Sequence, residues 1–121
     1  MGKKKPDRKA KELHLGSLRA HVLVCGGGNC ATEPDQKRAV KGFRKKLKER
    51  GLTKRKGGVM CTTVGCLQVC AGGPIAVVWP DGVWYCEATP ENLDRILDQH
   101  IIGGKVVEEL RIAGPKKARG G

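Results

Sequence analysis

Apolar residues arrive along this chain in short, separated groups. Residues 20–25, Ala-His-Val-Leu-Val-Cys, form a β-branched run that stops at glycines, which predicts a strand. Val22, Leu23 and Val24 in succession predict burial on both faces, as at a central position of a sheet. Thr32-Glu33-Pro34-Asp35 then combines a capping side chain, a first-turn proline and acids suited to the positive end of a helix. Ala39, Val40, Phe43 and Leu47 follow at three- and four-residue steps, a single apolar stripe, and Gly51 ends that helix. Val59 to Val64 reads as a second strand. Ile75 to Trp79 and Val83 to Glu87 flank the turn Pro80-Asp81-Gly82 and predict a β-hairpin over 75–87. Thr89-Pro90-Glu91 opens a second helix with the buried stripe Leu93, Ile96, Leu97, His100 and Ile101, stopped by Gly103-Gly104. Val106, Val107, Leu110 and Ile112 belong to a final packed segment.

The order strand, helix, strand, hairpin, helix predicts an α/β fold. A strand–helix–strand crossover favours parallel pairing of the first two strands, and the hairpin is antiparallel. The expectation is a four-stranded mixed sheet with two main helices packed on it. At 121 residues the chain reads as one domain with tails, 1–17 a basic N-terminal arm, 18–112 the domain and 113–121 a basic C-terminal tail. The arm, beginning Met1-Gly2-Lys3-Lys4-Lys5-Pro6, reads as a mobile solubilising tail or a basic arm for an acidic surface or nucleic acid.

A chain of this size can bury a core without covalent staples, so its 6 cysteines ask for another explanation. No stretch resembles a signal peptide, and the longest apolar run, Ile75 to Trp79, is too short to span a bilayer. The expectation is a cytoplasmic protein with no membrane partner, in a reducing compartment where free cysteines mark metal or redox chemistry. Four of them sit in two glycine-rich loops. Cys25-Gly26-Gly27-Gly28-Asn29-Cys30 is the first, and Gly65-Cys66-Leu67-Gln68-Val69-Cys70-Ala71-Gly72-Gly73-Pro74 the second. Each loop follows a strand, and parallel strands would bring both to one edge of the sheet. Four thiolates suit a 2Fe-2S cluster or a tetrahedral zinc, and the spacing leaves both open. A thiol oxidoreductase wants Cys-x-x-Cys at a helix start, which is missing. A Rieske centre needs two histidine ligands, and His14, His21 and His100 form no such pattern beside the loops. Cys61 lies mid-strand and offers an alternative set, Cys61-Cys66-Cys70; Cys61 and Cys86 read more simply as small buried residues. Trp84 and Tyr85 read as hairpin packing.

The combination resembles the thioredoxin-like 2Fe-2S ferredoxin family, which includes the small cluster-bearing subunit of NADH dehydrogenase and related subunits of hydrogenases and formate dehydrogenases. The matching stretches are His21-Val22-Leu23-Val24-Cys25 into Cys30, and the loop Gly65 to Pro74. They continue with Val78-Trp79-Pro80-Asp81-Gly82-Val83-Trp84-Tyr85, Thr89-Pro90-Glu91-Asn92-Leu93 and His100-Ile101-Ile102-Gly103-Gly104. The resemblance covers roughly residues 20–112. It implies a thioredoxin-like fold, a 2Fe-2S cluster, and Cys25, Cys30, Cys66 and Cys70 as its ligands. It also implies a one-electron carrier with no substrate turnover of its own, alone or as a subunit of a larger oxidoreductase, and often a homodimer. The first cysteine pair is closer in spacing to the NADH dehydrogenase and hydrogenase type than to free-standing ferredoxins. The short basic arm differs from the longer helical extension of those subunits.

A cluster of four thiolates, two sulfides and two ferric ions sums to −2, and burial of that charge needs compensation. Gly26, Gly27, Gly28, Gly72 and Gly73 are the candidate backbone N–H donors. Charge elsewhere is uneven. Residues 1–65 carry 18 basic and 5 acidic side chains, residues 66–112 carry 3 and 7. Between Lys37 and Lys56 stand 11 basic residues against the single acid Glu49, more than an ordinary solvated helix face. Such a face suits an acidic-surfaced redox enzyme or oxidoreductase subunit. The competing class is a zinc-stabilised nucleic-acid-binding module, for which charge speaks but no aromatic interleaving does.

Overall fold

The computed structural model describes residues 4–26, 33–65, 67–69 and 71–117. After a short helix α1 (Lys4–Glu12) and a 3-10 turn (Leu15–Ser17) comes β1 (Ala20–Cys25), then α2 (Glu33–Glu49) and β2 (Val59–Val64). The hairpin β3 (Ala76–Trp79) and β4 (Val83–Tyr85) leads to α3 (Pro90–Arg95), which continues as a π-helical segment (Ile96–Ile102). A 3-10 turn (Glu108–Leu110) and a last strand β5 (Arg111–Ala113) follow.

The strands form one mixed sheet in the order β2-β1-β3-β4-β5. β1 pairs parallel with β2, in a register that sets Cys25 beside Val64. The remaining pairs, β1 with β3, β3 with β4 and β4 with β5, are antiparallel. The four predicted strands are all present. The fifth is an addition at the edge, where the sequence reading saw only a packed segment. It is three residues long with two of them exposed, so it offers no run of alternating burial to read.

The helices cover one face of the sheet. Val22, Val24, Val59, Cys61, Ala76 and Val78 meet Ala39, Val40, Phe43 and Leu47 of α2 and Leu93, Ile96 and Leu97 of the second helix in one core. Each fully buried aliphatic or aromatic side chain there contributes about 1.5–3 kcal/mol. β1 is central as predicted, but its burial alternates. His21 and Leu23 are only half-buried, on the side of the sheet turned away from the core that α2 and the second helix cover. The outer edge of β2 is closed by the chain itself. The Leu52 carbonyl accepts the Val59 N–H at 2.8 Å, and Arg44 Nε donates to the Cys61 carbonyl at 3.1 Å.

Local signals decide the helix starts and turns. The Thr89 hydroxyl accepts the Asn92 N–H at 3.2 Å, with Pro90 in the first turn, as the sequence predicts. Thr32, the predicted cap of α2, lies outside the described residues. The hairpin turn closes with the Gly82 N–H on the Val78 carbonyl at 2.7 Å, and Gly82 has φ 75°, a conformation that favours glycine. The N-terminal arm is helical over Lys4–Glu12, where the reading assigned a mobile tail.

Tyr85, His100 and Asp81 tie the hairpin to the second helix. The Tyr85 hydroxyl lies 2.8 Å from His100 Nδ1 and accepts the Val107 N–H at 3.1 Å, while His100 Nε2 lies 2.6 Å from Asp81 Oδ2. All these groups are satisfied when the tyrosine O–H donates to Nδ1 and Nε2–H donates to the carboxylate. Burial pushes the Tyr85 hydroxyl up to about 12. His100 is therefore a buried structural hub, in keeping with the packing role read for it.

Candidate metal centre

The site grows from the parallel pair. Because β1 and β2 run side by side, their C-terminal ends emerge together, with Cys25 the last residue of β1 and Gly65 the first after β2. The first turn beyond Cys25 is fixed by sterics. A Cβ on Gly26 would lie 2.2 Å from Thr63 Cγ2 and 2.8 Å from the Val64 carbonyl oxygen, so only glycine lets the chain pass this close to β2.

Cys25 is fully buried. It packs with Ile75, and the partly buried Leu67, Trp84 and Cys86 gather against the pair. Leu67, which stands between the two cysteines of the second loop in sequence, packs against the Cys25–Ile75 pair. Cys30, Cys66 and Cys70, the other three predicted ligands, lie outside the described residues. Of the described residues of the second loop, Gln68 has a left-handed conformation with φ 69°, and Pro74 and Ile75 are buried.

The Cys25 sulfur is supplied with donors. The Ile75 N–H points to it at 3.2 Å, and the Gln36 side-chain amide Nε2 at 3.7 Å. Two N–H donors thus converge on a fully buried sulfur, the kind of compensation that the negative charge of a thiolate-ligated centre requires. The donor set therefore fits a thiolate-ligated cluster. Glycine had been the predicted source of such donors. That reading needs correction at Gly26, whose N–H goes to the Val64 carbonyl at 2.6 Å, closing the strand ends instead. Gly27 and Gly28 lie outside the described residues.

Sequence reasoning missed Gln36 and Ile75. Gln36 left a signal: it stands four residues before Val40 and seven before Phe43, on the apolar stripe of α2, yet it is polar and is 3% exposed. A buried amide in a core stripe needs a partner, and the cysteine sulfur is one. The Ile75 N–H left no signal, because backbone donors are set by chain path.

The two spare cysteines separate cleanly. Cys61 belongs to the main core under α2, on the opposite face of the sheet from Cys25. Burial pushes its thiol up to about 12, so it is a neutral, small apolar residue at physiological pH. Cys86 packs on the Cys25 side, half-buried. His21 makes a 2.7 Å hydrogen bond with Thr62 Oγ1, and burial lowers its pKa. Among the described residues no group of three or more His, Cys, Asp or Glu is placed to hold a metal ion.

The profile of the thioredoxin-like 2Fe-2S ferredoxins matches residues 16–100. The chain belongs to that family. It is similar to the 2Fe-2S ferredoxin of Clostridium pasteurianum, 34% identical over 100 residues that take in 76% of this chain and 94% of that protein. A stretch of 55 residues is 47% identical to the 2Fe-2S ferredoxin of Aquifex aeolicus (strain VF5), spanning 46% of this chain and half of that protein. In three dimensions the fold superimposes on the wild-type thioredoxin-like 2Fe-2S ferredoxin from Aquifex aeolicus with a TM-score of 0.63 at 31% identity. That superposition covers 78% of this chain and 96% of the other. A cysteine-to-serine variant of that ferredoxin gives 0.69 at 30% identity, over 78% and 98% of the two chains. Family membership decides between the two metals that the spacing left open: the cofactor is a 2Fe-2S cluster and the ferredoxin is an electron carrier. Nothing in these likenesses supports the zinc-bound nucleic-acid module.

Proposed function

We propose that Cys25, Cys30, Cys66 and Cys70 ligate the cluster and that this ferredoxin, built on residues 18–112, passes single electrons to an acidic-surfaced redox enzyme in the cytoplasm. The observation that carries the reading is the buried Cys25 sulfur with its two N–H donors, at the edge where both cysteine loops leave the sheet. When bound, the cluster supplies a one-electron couple. The chain's own residues hold its charge: Ile75 and Gln36 aim donors at sulfur, and Leu67, Trp84 and Ile75 keep Cys25 from water.

The partner surface we assign is the exposed face of α2. Several of its cations are already engaged: Arg38 with Asp35 at 3.6 Å, Lys46 with Asp94 at 3.8 Å and Arg50 with Asp98 at 2.5 Å. Lys41, Lys45, Lys48, Lys54 and Lys56 have no carboxylate partner among the described residues. Of these, Lys41, Lys45 and Lys56 are the charges assigned to meet acids on another protein. α2 begins just after the first cysteine loop, and Lys41 stands at the middle of the helix. Oxidation of the reduced protein by an acidic cytochrome tests this in stopped flow. Lys41→Glu/Lys45→Glu should slow the encounter about tenfold at low salt and flatten its salt dependence. A rate unchanged by the double reversal, or a basic cytochrome reacting faster than the acidic one, would defeat the assignment.

A further inference from the structure

A cleft of about 460 Å³ lies between the N-terminal arm, the C-terminal half of α2 and the outer edge of β2. Its walls are apolar: Leu13 and Leu18 come from the arm and the segment after it, and Val59 from β2. Three cations line it as well, Arg44, Lys48 and Lys54. The volume falls in the range of small-molecule sites, about 300–1,000 Å³.

The cations are not there to balance protein charge. Arg44 is held in the lining by its 3.1 Å bond to the Cys61 carbonyl. Lys48 and Lys54 have no carboxylate partner among the described residues. The nearest acid of the arm, Glu12, is paired with Lys9 at 3.5 Å. Glu49 follows Lys48 directly, and adjacent helical positions do not share a face. Three like charges gathered round a hydrophobic hollow repel one another unless an anion sits among them. The hollow in turn rejects a purely ionic guest, because its walls offer apolar surface. Cys61, which also lines it, is a buried thiol.

We propose that this cleft binds a small amphiphilic anion, a molecule with an aliphatic or aromatic body and one carboxylate or phosphate head. The body lies between Leu13, Leu18 and Val59, and the head meets Arg44, Lys48 and Lys54. The site stands apart from the electron-transfer end. Cys61 stands four positions before Gly65, where the second cysteine loop leaves β2, about 13 Å of largely extended chain. The arm thereby gains a task beyond solubility, since without it the cleft loses one wall.

Calorimetric titration of the cluster-loaded full chain tests the proposal, with four probes kept below their micellar concentrations: decanoate, decyl phosphate, 1-decanol and inorganic phosphate. Decanoate and decyl phosphate should bind once per chain, decanol about tenfold more weakly or worse, and phosphate without saturation. Lys48→Glu/Lys54→Glu should weaken decanoate about tenfold or more, with the visible spectrum of the cluster unchanged. Leu13→Glu should weaken it through the opposite wall. Lys116→Glu/Lys117→Glu, the same charge change on the C-terminal tail, should leave it within about twofold. Equal affinity for decanol and decanoate, unaltered binding by the Lys48/Lys54 variant, or no saturable binding of either anion would overturn the proposal. So would sedimentation with phosphatidylglycerol vesicles in the absence of decanoate binding, since the cations would then serve a membrane surface.

Discussion

Replacing Gln36 by leucine removes a side-chain donor from the Cys25 sulfur. The site is 3% exposed and stands on the apolar stripe of α2, so a leucine of similar length fits the core. The amide Nε2 stands 3.7 Å from the sulfur, a long contact but one made without competing water. Hydrogen bonds to charged groups are worth about 1.5–3 kcal/mol. Only the part that grows when the centre gains an electron affects the potential, and for a contact this long we take about 0.5–1 kcal/mol. With about 1.4 kcal/mol equivalent to 59 mV for one electron, Gln36→Leu should lower the reduction potential by about 20–40 mV. The sign follows from charge: N–H dipoles stabilise the more negative, reduced state, so losing one favours the oxidised form. Protein-film voltammetry of wild type and variant reads the shift. A potential that stays put or rises, in a variant with full cluster content, would refute the assignment of Gln36 as a donor to the centre.

Two further predictions concern the frame. Tyr85→Phe leaves His100 Nδ1 and the Val107 N–H without their partner in a buried setting, so it should cost about 2–4 kcal/mol and lower the melting temperature of the holoprotein by about 8–16 °C; a drop under about 2 °C would show the network to be dispensable. The Cys61 thiol is held neutral up to about 12 against an ordinary 9.0, so folding binds its proton more tightly than the unfolded chain does. The stability this adds is fully present below 9.0 and is lost as pH rises from there toward about 12, and Cys61→Val should flatten that alkaline fall in melting temperature; identical alkaline limbs would contradict it.

Much of this was legible in the sequence. The stripes of both helices, the hairpin and its turn, and the parallel pairing of the first two strands all follow from periodicity and connection rules, and the structure bears each of them out. What was hidden has common causes. β5 is too short to carry a period, and it exists because Tyr85 and Trp84 leave an edge for it to pair with. α1 is charged all round with none of its described residues buried, so no core stripe announced it. The donors to Cys25 come from a helix 11 residues on and a loop 50 residues on, separations at which no local spacing rule operates. The basic face is mixed: part of its charge is paired with Asp94 of α3 and Asp98 of the π-helical segment that continues it, pairings visible only once the helices are packed.

The central claim is that four particular thiolates hold one 2Fe-2S cluster. Iron and acid-labile sulfide per chain, measured on the purified protein and on each of six single cysteine-to-alanine variants, test it most directly. The account predicts about two iron and two sulfide in the wild type and in Cys61→Ala and Cys86→Ala, with loss or marked change of the cluster in Cys25→Ala, Cys30→Ala, Cys66→Ala and Cys70→Ala. A full, unaltered cluster in any of those four, or its loss from Cys61→Ala, would contradict it.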